Sequence, residues 1–155
     1  MSRPASRTRG AAGLLDELRA LSSDFDRLSQ AVADRLGLSP TDLLAMDLIA
    51  RKGRVTAGEL ARELNLTTGA ITGLVDRLAS AGYTRRISDP DDRRRVLVEP
   101  TAKERRVEEL YAPLAAGLRK AVEGYSERDL ATLSEFIGEL RAAVAASTQG
   151  VRRGR

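Results

Sequence analysis

From Leu14 the apolar positions Leu14, Leu18, Leu21, Phe25, Leu28 and Val32 advance by four and three residues. That spacing sets them along one seam of a long helix made to pack against other helices. A second helix opens in "GLSPTDLLAMDLIARKG", with Ser39 at the N-cap, Pro40 at the first helical position, Asp42 at the third and Leu38 placed to staple onto Leu43. It ends near Gly53. In "VTAGELAREL" Thr56 and Glu59 repeat the capping box and Val55 faces Leu60, so a short third helix covers Ala57 to Leu64. After the turn "NLT" comes "TGAITGLVDRLASAG", where Ile71, Leu74, Val75 and Leu78 share a face and Gly82 is the stop. Two short helices joined by so tight a turn read as a helix-turn-helix.

"YTRRI" and "VLVEP" follow as two short strands, and the loop between them, "SDPDDRRR", is too long for a two-residue hairpin turn, so it is predicted to project. A helix-turn-helix followed by such a hairpin is a winged helix. In the next helix Val107, Leu110, Tyr111, Leu114, Leu118, Ala121, Val122 and Tyr125 form an apolar side, with Pro113 predicted to bend it. Ser126 and Asp129 open the last helix, whose seam is Leu130, Leu133, Ile137, Leu140 and Val144. Such seams need partners, supplied either within one chain or by a second copy. The expected fold class is mostly α: a winged helix-turn-helix lobe at 39–100 and an all-helical lobe from 11–38 and 101–148.

The bulk composition, 155 residues at 42% hydrophobic and 31% charged, suits one domain or two joined lobes. No run approaches the roughly 18 apolar residues of a membrane span, and "MSRPASRTRG" lacks the apolar stretch of a signal peptide, so the expectation is a cytoplasmic protein without a membrane partner. Without Cys or His, thiol and imidazole chemistry is excluded. The carboxylates accompany no Gly-rich phosphate loop, nucleophile motif or metal spacing, so no catalytic residue, metal or cofactor is expected. The ends carry arginines and no acid; 1–10 is expected as a basic disordered tail and 149–155 as a basic tail. Residues 51–95 hold ten basic and six acidic side chains, whereas 11–50 and 96–148 together hold ten basic and sixteen acidic. A basic centre between acidic flanks suits a nucleic-acid-binding lobe, although a solvated surface would look the same.

The outward face of the fourth helix carries Thr68, Gly69, Thr72, Gly73, Asp76 and Arg77. Its two glycines cost about 1 kcal/mol each relative to Ala. Small residues would let the backbone approach a DNA major groove, with threonine hydroxyls and methyls meeting phosphates, base edges or thymine methyls. The alternative is that they pack beneath a neighbouring element. The loop likewise has two readings. Its acids could fix arginines that enter a minor groove, where negative potential attracts them, or it could be a solvated turn with internal ion pairs.

Residues 64–101, "LNLTTGAITGLVDRLASAGYTRRISDPDDRRRVLVEPT", resemble the recognition helix and wing of the MarR family of bacterial transcriptional regulators, and the helix order extends the resemblance over about 12–146. The wing signature falls on Asp92, Arg94 and Thr101. The resemblance implies that Arg94 enters the minor groove, that Asp92 holds the wing, and that the exposed face from Thr67 to Arg77 reads the major groove. Arg85, Arg86 and Arg93 complete the expected DNA-binding set, the first two as phosphate contacts. Gly73 stands where members often carry Arg. Pro100 replaces the usual Leu, no Gly follows it, and Thr101 with Glu104 is expected to cap the fifth helix.

The resemblance further implies a homodimer in which the first, fifth and sixth helices interlock, with Leu14, Leu18, Leu21, Leu133, Ile137 and Leu140 at the interface. Its partner would be double-stranded DNA bearing a pseudopalindrome. A small lipophilic or phenolic effector would sit near Phe25, Met46 and Tyr111, residues that equally suit core or dimer packing. The expected function is a dimeric sequence-specific regulator, a repressor released by such a ligand. The alternative is a winged-helix module that binds protein or RNA without operator specificity.

Overall fold

A computed structural model of the chain describes residues 4–92 and 94–153. In chain order these form α1 (Pro4–Leu36), α2 (Pro40–Lys52), β1 (Val55–Thr56), α3 (Ala57–Leu64), α4 (Thr68–Ser80), β2 (Thr84–Ser88), β3 (Val96–Pro100), a 3-10 turn at Ala102–Glu104, α5 (Arg105–Val122) and α6 (Glu127–Arg153). The chain divides into two units, Met1–Leu110 and Tyr111–Arg155, with the boundary inside α5.

The first unit is organised by one apolar core. Ile49 from α2, Leu60 from α3, Ile71, Leu74, Val75 and Leu78 from α4, and Val55 and Val98 from the sheet are almost fully buried together. Each such side chain contributes about 1.5–3 kcal/mol by leaving water. Leu36, Leu38 and Val107 pack against this cluster. Local chemistry fixes where the helices begin and end. Ser39 with Asp42 and Thr56 with Glu59 form the two expected capping boxes, and Asn65 closes α3 in the left-handed region at φ 54°. That residue lets the chain turn into α4 within a few positions, since Asn tolerates this conformation better than most side chains.

The sheet has the order β1–β3–β2, antiparallel throughout, with Val55 opposite Val98 and Arg85 opposite Glu99. Two strands are expected from the sequence and three are found. Val55 and Thr56 serve as staple and cap, but also pair with β3; a two-residue strand carries no periodicity of its own. The expected capping box of Thr101 and Glu104 does not form. The Thr101 hydroxyl instead donates to the Gly82 carbonyl at 2.6 Å and accepts from the Lys103 amide at 3.2 Å, which ties the end of β3 to the end of α4.

Helix α1 begins at Pro4, where the sequence predicts a basic disordered tail, and α6 continues to Arg153, into the stretch expected as a basic tail. Proline presets φ for a first helical turn, and alanine and arginine are strong helix formers. In the second unit Ser126 and Asp129 exchange hydrogen bonds as the expected cap of α6. No residue of α5 is buried, and none of the described residues of α6 is either.

Several carboxylates are held by these contacts. Burial by itself raises the Asp42 carboxyl, but hydrogen bonds from Arg77 and Ser39 outweigh it and hold it below its ordinary value. Thr56 lowers Glu59, Arg85 and Arg54 lower Glu99, and Ser126 lowers Asp129. Glu104 moves the other way, pushed up by burial and then by Glu108 and Asp47. A carboxylate with a depressed folded pKa contributes stability above its unfolded pKa and loses it as pH falls through the folded value. The urea midpoint should therefore be nearly flat from about pH 7 to 5 and fall below about pH 4. Glu104→Gln should raise it at pH 7, where the ionised carboxylate is disfavoured. A midpoint that did not fall below about pH 4 would contradict this assignment.

Candidate nucleic-acid interface

Thr67 caps α4, its hydroxyl accepting from the Ala70 amide at 3.3 Å, so the helix starts where its exposed polar face starts. Thr68, Gly69, Thr72, Asp76 and Arg77 are exposed and Gly73 is half-buried. A Cβ built on Gly69 would meet nothing within 4 Å, and one on Gly73 would meet only the Arg77 guanidinium at 3.8 Å. The glycines therefore do not pack beneath another element. They leave a shallow surface over which another molecule can come close. The Thr72 hydroxyl donates to the Thr68 carbonyl at 2.8 Å, so it presents an acceptor and a methyl outward and no free donor. Such a group suits a base amino donor or a thymine methyl better than a phosphate oxygen.

The arginines of this surface are anchored. Arg77 donates to the buried Asp42 carboxylate at 2.8 Å. Arg86 pairs with Asp76 at 2.7 Å, and Arg85 with Glu99 at 2.5 Å. Glu99 also receives Arg54 at 3.0 Å, so one buried carboxylate on β3 holds an arginine from each side of the sheet. Arg85 and Arg86 could reach a phosphate only by sharing these partners. The sequence reading missed Arg54 and also Lys103, whose ammonium lies 4.6 Å from the Tyr83 ring centroid and 2.5 Å from the Ala81 carbonyl at the C-terminal end of α4. Both act across long sequence separations, and no local pattern announces them.

The wing loop has a defined frame. The Asp89 side chain, buried, accepts from the Asp91 amide at 2.9 Å and lies 3.6 Å from Arg95, while its amide donates to the Arg95 carbonyl at 3.0 Å. Asp92 accepts the Arg94 amide through its side chain and the Arg95 amide through its carbonyl. The acids thus shape the backbone, and the ion pair falls to Arg95. Arg94 is exposed and its guanidinium makes no ion pair among the described residues. Arg93 lies outside the described residues.

The other expected site residues are dispersed. Met46 is buried in the core of the first unit, Phe25 is exposed on α1, and Tyr111 is half-buried in the second unit. Leu14, Leu21, Leu133 and Ile137 are exposed; Leu18 and Leu140 are half-buried. A separate cavity of about 210 Å³ in the first unit is lined by Arg35, Leu36, Arg106, Glu109 and Leu110.

A helix-turn-helix whose second helix keeps a bare polar face, followed by a framed wing, defines a winged helix-turn-helix DNA-binding protein. The model of the MarR family matches residues 38–96. The HTH-type transcriptional regulator YcgE of Bacillus subtilis is 43% identical over 111 residues, covering 71% of this chain and 72% of that protein. A MarR family protein from Bacillus stearothermophilus shares the fold with a TM-score of 0.68 at 22% identity, over 89% of this chain and 97% of that one. NadR in complex with 4-hydroxyphenylacetate shares it at 0.59 and 22%, over 83% and 89%. The chain belongs to the MarR family and is a transcriptional regulator, not an enzyme. No described helix is long and apolar enough to cross a membrane.

The frame of the wing is testable apart from any ligand. Asp89→Ala removes the acceptor of the Asp91 amide, so that amide should exchange with solvent at least about tenfold faster while amides of α4 keep their protection. Unchanged exchange at Asp91 would show that the strands alone hold the loop.

Proposed function

We propose that the chain acts as a homodimer that binds a pseudopalindromic operator and represses transcription there. The observation that carries this reading is the division of exposed surface. Leu14, Leu15, Leu21 and Phe25 of α1, Leu118 and Val122 of α5, and Leu133, Ile137 and Val144 of α6 are each 40% exposed or more, whereas among the described residues no large apolar side chain is exposed on α4 or in the loop between β2 and β3. Large apolar patches of this kind mark association surfaces, and a two-fold axis makes one patch serve both copies. A dimer then offers two recognition helices about 34 Å apart, one turn of DNA. Arg94 enters the minor groove from the wing, Thr68, Gly69, Thr72, Gly73 and Arg77 face the major groove, and Arg85 and Arg86 lie toward the backbone.

Sedimentation at micromolar concentration should give twice the 16.8 kDa chain mass. Leu133→Asp should abolish dimer and DNA binding together, because a lone carboxylate must stay desolvated or break the contact. Arg94→Ala should lose affinity mainly at sites with A·T-rich, narrow-groove flanks. Arg86→Ala should weaken all duplexes alike and shallow the salt dependence by no more than about one unit of slope. A wild-type protein that binds without preference for any duplex would favour the module that recognises protein or RNA.

Release by a small lipophilic anion is supported by the cavity between Arg35 and Arg106, where two cationic side chains flank the half-buried Leu36 and Leu110. A ligand that prefers the DNA-incompetent state lowers operator affinity by linkage. Added 4-hydroxyphenylacetate, the compound bound to NadR, should raise the melting temperature of the wild type and not that of Arg106→Ala. Equal shifts in both proteins would remove this cavity from the account.

A further inference from the structure

We propose that Asp42 is a positioning residue for base readout, whose buried carboxylate fixes the Arg77 guanidinium on the outer face of α4 across the gap left by Gly73. The proposal rests on the DNA-binding reading above and adds to it a residue that belongs to neither the recognition helix nor the wing. The Asp42 side chain is 3% exposed and that of Arg77 58% exposed, so the pair has one end inside the protein and the other in solvent. Both carboxylate oxygens are in use: one accepts the Ser39 amide at 3.0 Å, the other an Arg77 N–H at 2.8 Å. The carboxylate is itself locked, because Asp42 also donates its own amide to the Ser39 hydroxyl at 3.1 Å. It is a fixed point from which a long side chain is hung.

An arginine on a helix surface ordinarily samples many rotamers, and ordering it on binding costs roughly 0.5–1.5 kcal/mol. Here one N–H is spent on Asp42, and the other guanidinium donors make no hydrogen bond among the described residues. The guanidinium lies back over the preceding turn, 3.8 Å from where a Gly73 Cβ would stand. A side chain longer than alanine at position 73 would compete for that space. The absence of a side chain there and the presence of a carboxylate on α2 thus serve one placement: a planar fork of donors anchored at one end, lying over Gly73 with the rest in solvent. Bidentate donation from such a fork to the two acceptors of guanine is the contact it fits.

A purely structural role, in which the pair only staples α2 to α4, predicts different behaviour. Base preferences would be measured by selecting duplexes from random DNA with the wild type, Ile49→Val, Asp42→Asn and Arg77→Lys, at a temperature where each is folded by circular dichroism. Ile49→Val loosens the core that α2 shares with α4 and leaves both members of the Arg77 pair in place, so it should lower the melting temperature and keep the wild-type preferences. Asp42→Asn and Arg77→Lys should both lose about tenfold or more of the discrimination at the same one or two positions in each half-site. Wild-type preferences in folded Asp42→Asn, or a loss in Ile49→Val equal to that in Asp42→Asn, would overturn the proposal. If Asp42→Asn does not fold, Asp42→Glu takes its place. It keeps the charge and the capping box but displaces the carboxylate by a methylene, and unchanged preferences there overturn the proposal equally. A wild type that enriches no duplex fails the DNA-binding reading itself, whereas a wild type that enriches one while the Asp42 variants match it fails only the role of Asp42.

Discussion

An ionised carboxylate taken out of water loses hydration that only a cation and well-placed donors can replace, and Asp42, Asp89 and Glu99 are each less than a tenth exposed. Every one of them holds an arginine. The arginine ends of these pairs, Arg77, Arg95, Arg54 and Arg85, remain 54–69% exposed. Interior acids therefore dictate where the surface cations lie. This also explains why a region with a modest charge excess can serve a polyanion. These three acids are turned inward and satisfied while their arginine partners face solvent, although Asp76, Asp91 and Asp92 stay exposed beside them. The formal sum of charges conceals that arrangement, because it gives inward and outward groups equal weight.

The anchors would be useless on a yielding frame. Leu60, Ile71, Leu74 and Leu78 turn the inner faces of α3 and α4 into a core shared with Val55 and Val98 of the sheet. The far end of α4 is then fastened a second time. Gly82 takes φ 78° to reverse the chain, its carbonyl accepts the Thr101 hydroxyl, and Lys103 reaches the Ala81 carbonyl. A tilt of α4 would therefore have to break contacts made just beyond the strand that carries Glu99. A positioned donor has value only when the surface around it is equally fixed.

What could be read from the chain divides by the range of the interaction. Caps at Ser39, Thr56 and Ser126 are written in residues three apart, and the structure contains each of them. The helix seams and the two long strands repeat with their own periods and emerge in the same way. Pairings across tens of residues left no such mark. The Arg54–Glu99 and Arg77–Asp42 bonds span 45 and 35 positions, and the β1 strand exists only because β3 passes beside it. Thr101 misled for a related reason. Its hydroxyl still accepts locally, from the Lys103 amide at the start of a 3-10 turn and not from Glu104, while its own proton goes to the Gly82 carbonyl 19 residues away. Only resemblance singled out Arg94 as the candidate wing tip; residue patterns alone would have left it as one arginine among three.

The second unit poses the remaining physical question. Among its described residues none is buried, yet Leu118, Val122, Tyr125, Leu133 and Ile137 all point into solvent. A helical segment without an interior cannot repay the conformational entropy of its own ordering, about 1–2 kcal/mol for each backbone residue fixed. Its stability has to come from whatever covers those side chains. Under the proposed two-fold assembly the covering surface is the same set of residues on a second copy, so folding of these helices and formation of the dimer become a single event. Operator binding then inherits a concentration dependence, because dissociated chains lose the paired presentation of α4 along with the ordered helices.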